Sequence, residues 1–143
     1  MKTIKDVRMI DFPSVVGDGS LVPVELESTI PFNVKRIFYI YDVGALEKRG
    51  CHAHLETNQV LVCLKGSIEC ICKDQFGGEV SVVLADPTKG IHIPEMIWDE
   101  QTYKSSDSIL LSICSTKYNR KDYIHNYEEF QSLAKDDIDD KVN

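Results

Sequence analysis

The chain has 143 residues, with 23 acidic against 16 basic side chains and a formal net charge of −7 at pH 7. This length fits one domain, and the acidic surplus argues against the broad basic surface with which proteins bind nucleic acid or anionic membranes. No segment resembles a membrane span, and the first residues lack a signal-peptide core, so we expect a cytoplasmic protein.

Short apolar runs follow one another along the chain and are separated by turn signals rich in Gly, Asp and Pro. Many short strands about 8–12 residues apart are typical of an all-β sandwich or barrel. The runs predict strands over Leu21–Leu26, Arg36–Tyr41, Val60–Leu64, Ile68–Cys72, Val80–Leu84, Gly90–Pro94 and Ile109–Cys114.

A helical pattern occurs only near the end of the chain, in residues 118–135. Tyr123, Tyr127, Phe130 and Ala134 recur there at spacings of four, three and four, which predicts one amphipathic helix. We therefore expect a single domain over 1–135 that includes this helix. The charge-dense segment 136–143 is predicted to be an acidic, frayed tail.

The chain has five cysteines and no CxxC pair. Several lie inside strand-like apolar runs, where free cysteine usually acts as a small hydrophobic side chain in a reducing compartment. We therefore expect no disulfide.

The sequence RGCHAH places two histidines, His52 and His54, two positions apart. On a strand, such residues point to the same face, so both imidazoles can serve one site. Apolar side chains normally fill the interior of a small barrel, and an inward polar pair there indicates a function.

Metal binding is one hypothesis for this pair. HAH followed by Gln59 and Gly66 resembles the first motif of the cupins, small jelly-roll barrels with one ligand pocket. Metal-binding cupins usually have Glu at the position of Gln59 and a later histidine, which Asp99 replaces here. An amide is a weak ligand, although two histidines and one carboxylate would match an iron site, and Cys70 with Cys72 could complete a zinc site.

A finer resemblance covers nearly the whole chain. It is carried, in order, by GSLV at 19–22, IPFNVKRIFYIYDV at 30–43, RGCHAH at 49–54, QVLVCLKGS at 59–67, IPEMIW at 93–98 and KDYIHNYEEF at 121–130. With these motifs the chain resembles the dTDP-sugar 3,4-ketoisomerases. That family converts dTDP-4-keto-6-deoxyglucose into a 3-keto-6-deoxyhexose, which an aminotransferase takes toward 3-amino sugars of surface glycans or antibiotics.

The resemblance implies a fold, an assembly and a cofactor requirement. The fold would be the cupin double-stranded β-helix, a jelly-roll barrel, with one C-terminal helix. The assembly would be a homodimer formed by strand exchange, and neither a metal nor an organic cofactor would be needed.

The reaction removes a proton from C3, next to the C4 ketone, and returns one at C4. Histidine exchanges protons near neutrality, so the resemblance assigns His52 and His54 as the proton-transfer pair. The negative oxygen of the enediolate intermediate needs a hydrogen-bond donor, for which we expect Arg49 and the hydroxyl of Tyr39. Strand alternation puts Phe38 and Tyr39 on opposite faces, and the sequence leaves open which of them faces the pocket.

Four further residues are predicted to bind the substrate. Arg36 carries a guanidinium that fits phosphate oxygens, so it is our candidate for the diphosphate. Trp98, the single tryptophan, could stack on thymine or sugar. Gln59 and Asp99 complete the set as polar residues of the two cupin motifs.

Three positions depart from the pattern of the family. Relatives tend to have Arg, Lys and His where this chain has Asp18, Leu55 and Asp99. The configuration of the product at C4, gluco or galacto, is therefore left open. Two other functions also remain: a metal-dependent cupin oxygenase or isomerase, and a non-catalytic cupin that binds sugar nucleotides.

Overall fold

The structure is a computed structural model that describes the backbone of residues 1–142 and the side chains of residues 1–134. Two five-stranded antiparallel sheets form a barrel, and one helix, α1 (Tyr127–Val142), follows them. The predicted all-β jelly roll with one C-terminal helix is confirmed. The predicted tail at 136–143 lies outside the residues whose side chains are described, and it stays a prediction.

From the fourth strand on, consecutive strands lie in different sheets, except for the seventh and eighth strands, which form one hairpin. The first sheet contains, in spatial order, β1 (Arg8–Asp11), β9 (Lys89–Ile93), β6 (Gln59–Lys65), β11 (Ile109–Cys114) and β4 (Arg36–Ile40). The second contains β12 (Tyr123–Ile124), β5 (Lys48–His54), β10 (Trp98–Tyr103), β7 (Ile68–Lys73) and β8 (Glu79–Leu84). A separate hairpin consists of β2 (Val15–Gly17) and β3 (Gly19–Leu21).

The core between the sheets follows from period-two alternation. In β7, the buried residues Ile68, Cys70 and Cys72 alternate with half-buried ones, and they pack against Leu61 and Ile91 of the first sheet. Burying such apolar side chains is the main favourable term in folding. Cys70 and Cys72 thus act as small core residues, and all five cysteines are free thiols.

Two predicted elements differ from the structure. The strand expected over Leu21–Leu26 ends at Leu21, since Pro23 cannot donate a hydrogen bond to a sheet. The helix expected over 118–135 begins at Tyr127, and the residues before it form a 3₁₀ turn (Arg120–Asp122) and β12.

A bulge in β5 decides which of its side chains face the interior. Asp99 of β10 pairs with His52, whereas the next residue, Glu100, pairs with Gly50, so Cys51 is the extra residue. Gly50 and Cys51 both have positive φ, of 75° and 55°. Arg49 and His52 would face opposite sides of a regular strand, and the bulge brings them to the same side.

The helix covers one end of the second sheet. Phe130 of α1 is buried against Ala53, Trp98 and Ile124. The ring centroids of Phe130 and Trp98 are 5.8 Å apart. Among the described residues, no helix is long and apolar enough to cross a membrane.

Candidate active site

A cavity of about 400 Å³ opens between the sheets at the end where β5 carries its bulge. Side chains of both sheets and of the segment before α1 line it. They are Phe38, Ile40, Lys48, Arg49, Gly50, His52, Gln59, Gln101, Tyr123 and His125. The cavity thus combines an apolar wall from β4 with cationic, imidazole and amide groups.

The two histidines lie together but have unequal access to the cavity. Their ring centroids are 4.9 Å apart, with an edge-to-face arrangement. The side chain of His52 is 16% exposed and lines the cavity, whereas His54 is 4% exposed and lies behind it. Of the two imidazoles, His52 is therefore the one that can meet a ligand directly.

His54 is held by hydrogen bonds at both ring nitrogens. Its Nδ1 donates to Oδ2 of Asp122 at 2.7 Å, and its Nε2 accepts from the amide of Gln59. Burial lowers the pKa of His54 to about 4, although the hydrogen bond with Asp122 opposes this shift. His54 is therefore neutral near pH 7, with its proton on the nitrogen that faces Asp122.

Asp122 is a site residue that sequence reasoning missed. Besides His54, it accepts hydrogen bonds from the hydroxyl of Thr57 at 2.5 Å and from the backbone N–H of Glu56 at 2.7 Å. Burial alone would raise the pKa of Asp122, but these hydrogen bonds outweigh it and the pKa is lowered. The carboxylate therefore joins the C-terminal segment to β5 at the back of the cavity.

The first prediction concerns the stability that Asp122 contributes. Because its pKa is lower in the folded state, this contribution is present above the unfolded pKa of about 3.9 and is lost as the pH falls through the folded pKa. Asp122→Asn should lower the free energy of unfolding by about 1.5–3 kcal/mol at pH 7. Urea unfolding at pH 7 and at pH 3 measures it.

A matched control is Asp107→Asn, which changes an exposed carboxylate before β11. Its effect should stay within about 0.5 kcal/mol at both pH values. An equal loss for Asp122→Asn at pH 7 and pH 3 would show that its charge is not what stabilises the fold.

The structure does not bring Tyr39 into the cavity. Tyr39 is 66% exposed on the outer face of β4, where its ring stacks on Tyr41. Alternation along the strand instead turns Phe38 and Ile40 into the cavity. The hydroxyl expected from this strand therefore does not reach the cavity of its own chain.

A different tyrosine lies against the histidines. Tyr123 lines the cavity, and its ring centroid is 4.4 Å from that of His54 and 5.3 Å from that of His52. His125 stacks nearly parallel on Tyr123, with centroids 5.5 Å apart. Both residues were expected on the terminal helix, and they lie instead in the segment before it.

A local signal could have located these two residues. Asn126 precedes the helix, and its Oδ1 accepts from the backbone N–H of Glu129 at 2.9 Å. Asn followed three residues later by Glu is the pattern of a helix N-terminus. Reading it as the start of α1 would have left Tyr123 and His125 outside the helix.

Three of the four predicted substrate-binding residues, Arg36, Trp98 and Asp99, do not line the cavity. Trp98 is buried beneath α1, and its indole N–H donates to Oε1 of Glu100 at 3.2 Å. Its predicted stacking role is wrong, because β10 turns this side chain away from the cavity and toward the helix. Asp99 lies behind His52, 1% exposed, whereas Gln59 and Arg49 do contribute to the cavity wall.

Arg36 lies on the same face of β4 as Phe38. Its guanidinium packs between the rings of Phe38 and Tyr118, 5.6 Å from each centroid, and Tyr118 in turn packs on Tyr123. The buried Nε and Nη2 of Arg36 have no hydrogen-bond partner among the described residues. Both nitrogens are fully buried and Arg36 does not line the cavity, so a phosphate oxygen could reach them only if this side chain moved.

No group of three or more His, Cys, Asp or Glu side chains within residues 1–134 is arranged to hold a metal ion. Cys70 and Cys72 are therefore not brought together with the histidines as the zinc hypothesis required. For His54 to bind a metal, it would have to release Asp122 or Gln59.

The chain matches the model of a protein family over residues 5–135, and that family is described as FdtA: WxcM-like, C-terminal. It is also 37% identical, over 127 residues, to the TDP-4-oxo-6-deoxy-α-D-glucose-3,4-oxoisomerase of Aneurinibacillus thermoaerophilus. That match covers 87% of this chain and 89% of the relative.

Similar solved structures include QdtA, a sugar 3,4-ketoisomerase from Thermoanaerobacterium thermosaccharolyticum, in complex with TDP. It has a TM-score of 0.88 and 34% identity, and the match covers 93% of this chain and 97% of that one. A histidine mutant of QdtA, in complex with TDP-4-keto-6-deoxyglucose, matches with the same TM-score and identity and covers 93% and 96% of the two chains.

Proposed function

Because this chain belongs to the FdtA, WxcM-like family and is an isomerase of the sugar 3,4-ketoisomerase type, we propose that it converts dTDP-4-keto-6-deoxyglucose into a dTDP-3-keto-6-deoxyhexose. The observation that supports this most is the position of His52, which lines a cavity of about 400 Å³ and has His54 and Tyr123 packed against it. The product would supply an aminotransferase that makes 3-amino sugars.

The reaction moves two protons and leaves the oxidation state of the sugar unchanged. The carbon proton leaves C3, the C3–H electron pair forms the C3–C4 double bond, and O4 becomes negative. The intermediate is an enediolate. Transfer of the 3-hydroxyl proton to O4, together with protonation of C4, then leaves a ketone at C3 and a hydroxyl at C4.

His52 is the base in this proposal. It is the imidazole of the pair that lines the cavity, and a positioned general base contributes about 10²–10⁴-fold to the rate. His54, neutral and bonded at both nitrogens, holds the ring of His52 edge-on rather than exchanging protons with the substrate. The proton-transfer role predicted for both histidines is thus assigned to His52 alone, and His54 positions it.

Tyr123 takes the role first given to Tyr39. Its hydroxyl would donate a hydrogen bond to O4 as that oxygen becomes negative, which lowers the energy of the enediolate. Arg49, which lines the same cavity, would supply a second donor and a positive charge. The contact of the Tyr123 ring with both imidazoles supports this assignment.

The diphosphate would be bound by cationic side chains around the cavity. Lys48 and Arg49 line the cavity, whereas Arg36 is packed between Phe38 and Tyr118 and would have to turn toward the cavity to join them. In a chain of net charge −7, such a local cluster is where a ligand with two phosphates finds its counter-charges.

The test is an NMR assay of the purified protein with dTDP-4-keto-6-deoxyglucose and excess chelator. We expect a 3-keto product whose formation the chelator does not slow, and coupling to a 3-aminotransferase reports its configuration at C4. Activity that chelation abolishes would favour the metal-dependent cupin. Tight binding of dTDP without any product would favour the non-catalytic one.

We also propose that the protein is a homodimer formed by strand exchange. The β2–β3 hairpin belongs to neither main sheet, and Val16 at its centre is 79% exposed, with Val15 and Leu21 exposed beside it. A second cavity, of about 490 Å³, lies next to it and is lined by Phe12, Val22, Val24, Val62, Leu64 and Leu111, among others. A second copy that contributes its own hairpin would bury both surfaces.

The second prediction follows from this assembly. Val16→Asp places a charge where the partner would pack, and it should convert a dimer of twice 16.2 kDa into a monomer. Light scattering after gel filtration measures the mass. The control is Val83→Asp, the same substitution at an exposed position of β8, which should leave the dimer intact. Wild-type protein with the mass of a monomer would refute the proposed assembly.

A further inference from the structure

A second carboxylate lies beneath the cavity, on the inner face of β10. Asp99 is directly opposite His52 in the strand pairing, and its Oδ1 is 3.9 Å from Nε2 of His52. Asp99 contributes no surface to the cavity, which His52 lines. The carboxylate thus contacts the imidazole from behind and is shielded from any ligand that the cavity holds.

The position of this carboxylate is fixed by a short polar chain. Gln101 donates from Nε2 to Oδ2 of Asp99 at 2.7 Å, and the hydroxyl of Tyr103 donates to Oε1 of Gln101 at 3.4 Å. All three residues are buried and alternate along β10. One carboxylate oxygen is therefore occupied by Gln101, and the other faces His52.

The bulge in β5 leaves room for this arrangement. Gly50 has a φ of 75°, and a Cβ at this position would lie 3.0 Å from Oδ2 of Asp99 and 3.2 Å from Nε2 of Gln101. A larger residue would be strained by its backbone conformation and would press on both groups. The glycine thus allows β5 to approach the carboxylate closely enough for His52 to meet it.

We propose that Asp99 is a positioning residue, which fixes the orientation of His52 and stabilises the imidazolium that forms when His52 takes a proton. This inference rests on the proposed ketoisomerase function. It replaces the substrate-binding role predicted for Asp99 from its position in the second cupin motif.

The surroundings of Asp99 make this carboxylate costly to ionise. The groups near it are His52 of β5, the thiols of Cys70 and Cys72 of β7, and Glu100 and Tyr103 of β10; Cys51 lies in the adjacent bulge. Burial raises the pKa of Asp99, whereas His52 and the hydrogen bond from Gln101 oppose this shift.

A raised pKa has a defined consequence for stability. The folded state favours the protonated carboxyl, so folding loses stability as the pH rises through the folded pKa of Asp99. Asp99→Asn removes that loss and should raise the melting temperature by about 2–4 °C at pH 8.5. If Asp99 served only to stabilise the fold, its replacement by Asn would lower the melting temperature instead.

The experiment compares Asp99→Asn with wild type and with Asp107→Asn, the exposed control. We expect kcat of Asp99→Asn to fall by about 10–100-fold while KM stays within about twofold. The acidic limb of its pH–rate profile should move to lower pH by at least about 0.5 unit, because the imidazolium loses its counter-charge. Unchanged kcat over pH 5.5–9, or a rise in KM alone, would overturn the proposal.

A second measurement is independent of the substrate. Long-range ¹H–¹⁵N NMR identifies which ring nitrogen of His52 carries the proton, and we expect Asp99→Asn to lose the wild-type preference for Nε2, the nitrogen that faces Asp99. The same tautomer in both proteins would overturn the role of Asp99 whether or not the protein isomerises the sugar. Inactive wild type with a different tautomer in the variant would instead refute the proposed substrate and retain the His52–Asp99 pair.

Discussion

Replacement of His52 by asparagine should lower kcat by about 10²–10⁴-fold, the range that a general base contributes. Asparagine keeps the polarity and approximate size of the side chain but cannot take a proton near neutral pH. His52 lines the cavity and lies against both His54 and Tyr123. His54 is buried behind it, and His125, which also lines the cavity with its ring centroid 6.0 Å from that of His52, stacks on Tyr123. Steady-state kinetics with dTDP-4-keto-6-deoxyglucose measure the loss.

His92→Asn is the matched control for this change. His92 of β9 is partly buried, and its Nε2 donates a hydrogen bond to Oδ1 of Asn58 at 2.9 Å, but it does not line the cavity. We expect its kcat to stay within about threefold of wild type. A His52→Asn variant as active as His92→Asn, with a similar melting temperature, would refute His52 as the base.

Replacement of Tyr123 by phenylalanine should lower kcat by about 10²–10³-fold, as loss of a donor to a developing oxyanion does. The ring, and with it the packing on His52, His54 and His125, is kept, so the fold should be unaffected. Rapid-quench or steady-state assays of the 3-keto product give the rate, and circular dichroism checks the fold.

Tyr39→Phe is the matched control for Tyr123→Phe, because it removes a tyrosine hydroxyl from the outer face of β4, which faces away from the cavity. Tyr39 is exposed and outside the cavity, so this variant should keep wild-type kcat. The opposite outcome, an active Tyr123→Phe and an inactive Tyr39→Phe, would restore the assignment made from the sequence and would require Tyr39 to act in the site of a partner subunit.

The sequence predicted the barrel and the two histidines because both depend on local periodicity. Apolar alternation located six of the twelve described strands, β4, β6 to β9 and β11, and the spacing of His52 and His54 put both on one face. Regular strand alternation does not explain why Arg49 lines the same cavity as His52. The bulge at Cys51 changes the register, and a positive φ at a cysteine leaves no clear trace in the sequence.

The remaining site residues could not be located from the sequence because they depend on which face of an element points inward. Tyr39 and Phe38 are adjacent and equally plausible on paper, and only the packed barrel decides between them. The same holds for Trp98, whose side of β10 faces the helix and not the cavity. Tyr123 and Asp122 come from a segment that spacing assigned to a helix, and their contact with β5 joins residues that are more than 65 positions apart in the sequence.

The measurement that tests the central claim most directly is the reaction in deuterated water, followed by ¹H NMR for wild type and His52→Asn. The claim is that His52 removes the C3 proton of dTDP-4-keto-6-deoxyglucose and that the proton returned to C4 comes from the same site. For wild type, we predict loss of the C3–H signal and formation of a 3-keto product. Deuterium should appear at C4 in those turnovers in which the imidazolium exchanges its proton with solvent before C4 is protonated. His52→Asn should leave the C3–H signal unchanged over the same time. Loss of the C3 proton at equal rates in both proteins would contradict the account.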